Sequence, residues 1–203
     1  MRKIILAIIT LVIINACSCN PSKKNYPVIT SNINAEELIS LDRQDMYLTY
    51  GEDYRWYETS ITLKEFMDSE NTDSSIESIS KIFQTLIASD DGTDVHVVMR
   101  SHYGDTVSVK ILSGFWVEDF PLNNESITLT FTDAYNKLME TNIPKPHSRQ
   151  VVLRKEVGPI DANPQWIFGN IKQHVYVDAV TGNVTINNPA FPEDTQLNYA
   201  FTW

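Results

Sequence analysis

Val175-Tyr176-Val177-Asp178-Ala179-Val180-Thr181-Gly182-Asn183-Val184 is the stretch that decides how this chain folds. Val175, Val177 and Ala179 alternate with Tyr176 and Asp178, the period-two pattern of a strand with two unlike faces. The Asp178 side chain can accept hydrogen bonds from backbone donors two or three residues on, and Gly182 takes a positive φ without steric penalty, so the chain reverses there. Val184 and Ile186 resume the alternation. Residues 166–186 therefore read as strand, tight turn and strand.

The preceding residues supply the partners of this hairpin. Phe131, Tyr135, Leu138 and Met139 fall on one face of a helix over residues 131–141, and Pro144 and Pro146 stop it, since proline lacks a donor and clashes with the previous turn. A strand follows at 149–156 and an aromatic strand at 166–169. A strand running into Val-Asp-Ala-x-Thr-Gly-x-Val resembles the closing signature of PepSY domains, and the resemblance covers residues 125–188, departing at Asn183 where the family often has Glu. It implies a small α+β unit, a helix packed on an antiparallel sheet. PepSY domains occur in propeptides of secreted metallopeptidases and in cell-envelope proteins, so the resemblance also implies binding or restraint of a peptidase or peptide.

Working toward the N-terminus, residues 61–120 read as the same order of elements. Ile61-Thr62-Leu63 is echoed by Ile127-Thr128-Leu129. Ile76, Ile79, Phe83, Leu86 and Ile87 recur at helical spacing, with Ser74 or Ser75 as the start and Asp90-Asp91-Gly92 as the end of a predicted helix. Strands are expected at 94–100, at 107–111 and at 115–120. Tyr47, Tyr50, Tyr54, Trp56 and Tyr57 flank Gly51-Glu52-Asp53, which predicts an aromatic β-hairpin over 46–57. The fold class expected is α+β, antiparallel sheets each covered by a helix, as two PepSY-like units in tandem: 45–124, and 125–203 with a C-terminal tail. The tail from residue 188, with Phe201 and Trp203 at its end, is expected to wrap back over the sheet, burying its aromatic end.

Arg2 and Lys3 precede an apolar run over 4–14, too short to span a bilayer comfortably but right for a secretory signal over 1–16. Ile14-Asn15-Ala16-Cys17 resembles a bacterial lipobox, which implies lipidation at Cys17; an ordinary signal peptide with a spare cysteine is the alternative. Ser18 after the cysteine favours, by resemblance to bacterial sorting rules, the outer membrane of a Gram-negative envelope. Residues 17–44 read as a polar tether. Cys19 is the one other cysteine, so no disulfide framework is expected.

Charge narrows the function further. Sixteen basic residues less Arg2 and Lys3 leave 14 against 26 acidic, a balance of −12 in the mature chain. Such a surface disfavours nucleic acid and offers no polybasic membrane patch, leaving the lipid as the one membrane attachment. No metalloprotease, serine-hydrolase, phosphate-loop or dinucleotide motif is present. His96 and His102 suggest at most a metal pair across a hairpin, short of the three or four ligands zinc takes. Residues 90–94 lack the alternating ligands of a calcium loop. Glu118 and Asp119 with Asp133 or Asp161 are the acids that a glycosidase reading would use, with nothing to set their separation. No cofactor, metal or catalytic residue is expected. The candidate binding residues are Trp116, Trp166, Phe168 and Tyr176, aromatics that would line an open sheet face. A lipid-anchored envelope binding module is the favoured reading. An envelope hydrolase built from scattered carboxylates and His, or a structural envelope protein, stands beside it.

Overall fold

A computed structural model describes residues 35–51, 54–69, 79–90, 94–103, 106–114, 119–170 and 172–191. The expected signal, Cys17 and Cys19, Trp116 and the tail beyond residue 191 lie outside the described residues. The fold is mixed α and β. Among the described residues, nine strands form one antiparallel sheet, and two α-helices pack on it.

Helix α1, Ala35–Tyr50, takes up part of the expected tether and of the expected aromatic hairpin, which corrects both. Glu36 and Glu37 lie in its first turn, where carboxylates complement the helix dipole. Leu38, Ile39, Asp42 and Met46 are buried at helical spacing. Gly51, at φ 116°, ends the helix, and its N–H donates to Tyr47 O at 2.9 Å. Tyr47 and Tyr50 occupy the last turn of the helix and Tyr54 the connection that follows, while Tyr57 does lie in a strand.

Strand β1, Arg55–Leu63, buries Thr59, Ile61 and Leu63 in alternation. An irregularity between Trp56 and Glu58 shifts the alternation by one residue and puts Trp56 into the core as well. Strand β2, Ile79–Asp90, replaces the helix expected over 76–87. It lies between β1 and β3, Asp94–Tyr103, bonded to both along its length, so every turn of helix would forfeit two ladders. The segment expected to join a helix to a strand, 91–93, thus lies between two strands and outside the described residues. Strand β4, Thr106–Ser113, closes this half.

The second half follows the expectation closely. Helix α2, Phe131–Glu140, starts with a reciprocal cap between Thr130 and Asp133 and buries Phe131, Ala134, Tyr135 and Leu138. Strands β6 (Gln150–Glu156), β7 (Gln165–Asn170) and β8 (Gln173–Asp178) come next, and the two-residue β9, Val184–Thr185, ends the sheet. The short β5, Asp119–Phe120, pairs with the end of β6.

The strand order is β4-β3-β2-β1-β6-β7-β8-β9, so β1 and β6 meet at the centre and each half runs outward from there. Ile61, Val151, Phe168 and Val175 form one row under the helices, and Thr59, Leu153, Trp166 and Val177 the next. Both helices lie on this face, because the Thr132 N–H at the start of α2 donates to Glu36 Oε1 of α1 at 2.9 Å. On the opposite face Asn188 donates to Glu156, and Ile160 N–H reaches Ala190 O at 3.4 Å, while the aromatic end expected to be buried there lies outside the described residues.

The hairpin that opened the reading turns as expected, with Gly182 at φ 77°. Asp178 Oδ1 accepts from Val180 N at 2.8 Å and from Thr181 N at 2.9 Å, and Asp178 Oδ2 from Asn163 Nδ2 at 3.0 Å. Ala179 O accepts from Thr128 N and Leu129 N, which ties the turn to the lead-in of α2. Partial burial pushes the Asp178 carboxyl up, but the Thr181 amide, the Asn163 side chain and the Val180 amide outweigh it and hold its pKa below the ordinary value. The charged form is thus favoured by folding. Replacing Asp178 by the neutral isostere Asn will lower stability above the ordinary carboxylate pKa of about 4, and the gap will close as the pH falls through the lower folded value. Urea unfolding of both proteins from pH 7 to pH 2 measures it.

Candidate functional site

The aromatic residues expected to share an open face do not share one. Trp166 and Phe168 are 3% and 0% exposed, beneath α2. Phe131 meets Trp166 edge-on at 5.9 Å between ring centroids, and Tyr135 meets Phe168 at 6.2 Å. Tyr176 points to the other face, also buried, with its hydroxyl 3.4 Å from His174 Nδ1. Burial first, then the nearby Glu156, pushes its phenol up to about 12, so it stays protonated. These three are packing residues, because a nine-stranded sheet with helices on one face and a returning tail on the other has little uncovered area in this half.

A cavity of ≈ 270 Å³ does open on the helix face, between α1 and the residues leading into α2. Its floor is Trp56, Leu153 and Trp166, and Ile39, Leu129 and Phe131 make its apolar walls. Both indole donors are turned inward: Trp56 Nε1 donates to Thr59 Oγ1 at 3.0 Å and Trp166 Nε1 to Leu129 O at 3.0 Å. The rings therefore present apolar surface to the cavity. Glu36 and Arg43, two turns apart on α1, supply the charge. The Arg43 guanidinium carbon lies 4.2 Å from the centre of the Trp56 ring, a cation–π stack. Sequence reasoning missed Arg43 and Glu36 because it placed a tether and a hairpin where α1 lies. The spacing of Leu38, Asp42 and Met46 behind two first-turn glutamates was the signal available.

A second polar assembly fastens α1 to β3. Arg100 Nη1 donates to Asp42 Oδ1 at 2.9 Å and to Asp45 Oδ2 at 2.7 Å, and His102 Nε2 lies 2.6 Å from Asp42 Oδ1. The side chains of Asp42, Arg100 and His102 are fully buried. Burial pulls the guanidinium pKa down, but hydrogen bonding and attraction from Asp42 and then Asp45 raise it overall. His96 and His102 lie six residues apart in one strand, so they do not face each other across a hairpin as a metal pair would require. Among the described residues, no three His, Cys, Asp or Glu side chains gather as a metal site would need.

The acids considered for hydrolysis are dispersed. Asp119 is buried 3.7 Å from Arg154 Nε, Asp133 caps α2, and Asp161 pairs with Lys155 at 2.7 Å. Glu118 lies outside the described residues.

The sheet also has a long free side. The outer edge of β4 pairs with no strand among the described residues, and Ile111 and Leu112 on it are 58% and 49% exposed. The other terminal strand, β9, has two residues.

The chain matches no protein-family model, and no curated protein or solved structure is significantly similar to it.

The α1–β3 assembly predicts an asymmetry. Asp42→Ala leaves Arg100 and His102 buried beside a gap, and urea unfolding will show a loss of about 3–5 kcal/mol. Asp42→Leu combined with Arg100→Met, which removes both charges, will recover more than half of that loss.

Proposed function

We propose that this protein is a binding module of the cell envelope, lipid-anchored through Cys17, which holds an extended peptide or a peptidase segment at the free edge of its sheet. The observation that carries the reading is β4: eight residues, no proline, one lysine, an outer side that pairs with no strand among the described residues, and two exposed aliphatic side chains. Soluble proteins blunt such edges with charge, proline, bulges or covering segments, because unpaired N–H and C=O groups recruit other strands. A peptide laid along β4 would extend the ladder through its main chain and place alternate side chains against Val109 and Ile111 or against Lys110 and Leu112.

The repeated order of elements, α1 to β4 and then α2 to β9, supports reading the halves as two PepSY-like units joined edge to edge. The resemblance of residues 125–188 to PepSY domains is what suggests restraint of a peptidase. The lipobox resemblance and Ser18 support the outer-membrane part of this reading.

Two measurements test this. Cells expressing the full chain and fed labelled palmitate will label it, and Cys17→Ala will abolish the label. Residues 17–203 with Cys17→Ser, immobilised and challenged with envelope extract, will retain a partner; Ile111→Asp with Leu112→Asp will cut retention about tenfold or more. Leu48→Asp, at an 81% exposed position on α1, will leave retention unchanged. Equal retention by all three would remove β4 as the site.

A further inference from the structure

We propose that the cavity between α1 and α2 is a binding site for a small organic carboxylate with a flat apolar body, held by Arg43. This site is separate from the β4 edge and does not depend on it.

The first argument is charge. The chain carries 26 acidic and 16 basic residues, so cations here are outnumbered by possible partners. Arg100, Arg154 and Lys155 each have a carboxylate within reach. Arg43 has none among the described residues. The one acid lining the same cavity, Glu36, is turned onto the Thr132 N–H at the start of α2. Burial lowers the Arg43 pKa, with only a small opposing effect from Tyr47, yet a guanidinium remains charged at neutral pH. A partly desolvated cation without a counter-ion is unfavourable, and a carboxylate arriving from solution relieves it through a charge-assisted, bidentate contact.

The second argument is what else the cavity offers. Both indole N–H groups are bonded inward, Thr130 Oγ1 is engaged with Asp133, and Thr128 Oγ1 donates to Val180 O at 2.7 Å. Besides the arginine, Ser40 and Asn124 contribute polar side chains, and the apolar part of the lining is Ile39, Trp56, Ile127, Leu129 and Trp166. A ligand with a flat apolar body and one anionic group matches the apolar lining and the single cation. A volume of ≈ 270 Å³ lies just under the ~300–1,000 Å³ of drug-sized sites, so it admits about one ring with a short chain.

The third argument is rigidity. Trp56 is held by its indole bond to Thr59, and α1 by the buried Arg100–Asp42 pair. Arg43 is thus presented by a fixed helix over a fixed ring, with little ordering left to oppose binding.

Phenylacetate is the probe. Residues 17–203 with Cys17→Ser, labelled with ¹⁵N at the indole nitrogens, are titrated and the Trp56 Nε1–H signal followed, a Trp56→Phe variant assigning it. Saturable shifts with Kd below about 1 mM are expected, with phenylacetamide and phenethylamine weaker by about tenfold or more. Arg43→Gln will weaken phenylacetate about tenfold and leave phenylacetamide unchanged, while Arg43→Lys will keep most of the preference for the anion. Arg43 is only half-buried on the helix surface, so these variants will fold, which the unperturbed amide spectrum will show. Equal binding of phenylacetate and phenylacetamide, indifference to Arg43→Gln, or no saturation by about 10 mM would each overturn the proposal. An acetylated dipeptide ending in free phenylalanine that binds tighter than phenylacetate would make the cavity a reader of chain ends and would overturn its assignment to a small molecule.

Discussion

The antiparallel pairing of β1 with β6 is the constraint on which the rest of the molecule depends. Each half is a meander whose neighbours in the sheet are neighbours in sequence. The seam is different: Thr62 and Gln150 are 88 residues apart, yet their side chains meet across it. The seam makes one sheet of two and lets the row Ile61, Val151, Phe168 and Val175 run unbroken beneath both helices. Its backbone hydrogen bonds contribute about 0.5–1.5 kcal/mol each, net. Burial of one aliphatic or aromatic side chain along these rows contributes about 1.5–3 kcal/mol, so the apolar rows, more than the ladder itself, hold the halves together.

The cavity is a consequence of that seam. Trp56 comes from β1, Leu153 from β6 and Trp166 from β7, so its floor exists only when the halves are joined. The helices come into hydrogen-bond contact near their N-termini, through Glu36 and Thr132. The one-residue shift in β1 turns Trp56 inward, and the arginine of α1 stacks on it. Position matters here more than affinity between the helices. An apolar helix face can slide on a sheet with small penalty, whereas the guanidinium of Arg100 reaches Asp42 and Asp45 together and so fixes the height of α1 over β3. The ion assembly contributes little to stability beyond what an apolar replacement would, but it sets where Arg43 stands.

The second half was legible because local chemistry and tertiary structure agree there. Asp178 and Gly182 make a turn whatever surrounds them, Thr130 and Asp133 cap a helix, and two prolines follow it. The first half was misread where they disagree. Residues 79–87 carry aliphatic side chains at helical intervals, but strands ready to pair on both sides outweigh that periodicity. Ile79, Ile82, Thr85 and Ile87 are also β-branched, a preference that the spacing obscured. In α1 the tyrosines of the last turn resembled strand residues, and the buried Asp42 broke what would have been a clean apolar stripe. Its partners, Arg100 and His102, lie nearly sixty residues away, so no local signal could mark Asp42 as a core residue. The same distance hid the cavity. Trp166 was read as an exposed anchor, but its side chain is buried against Phe131 and borders the cavity.

The two ends of the sheet are treated unequally, and the inequality bears on function. At one end β9 stops after Val184 and Thr185, and the chain leaves the sheet to cross its back, where Asn188 meets Glu156. There β9 covers Tyr176 and Val177 of β8 and leaves only the start of that strand, residues 173–175, without a strand on its outer side among the described residues. At the other end β4 runs for eight residues without a proline, with aliphatic side chains exposed on both of its faces. A molecule that only needed to stay monomeric would have gained by shortening β4 as it shortens β9, since an edge of that length draws strands from other chains. The two halves share an order of elements and differ in the length of their outermost strands. Uncorrected, β4 would be a liability under conditions that protect β9, so its length is the feature of the fold that stability and solubility least explain.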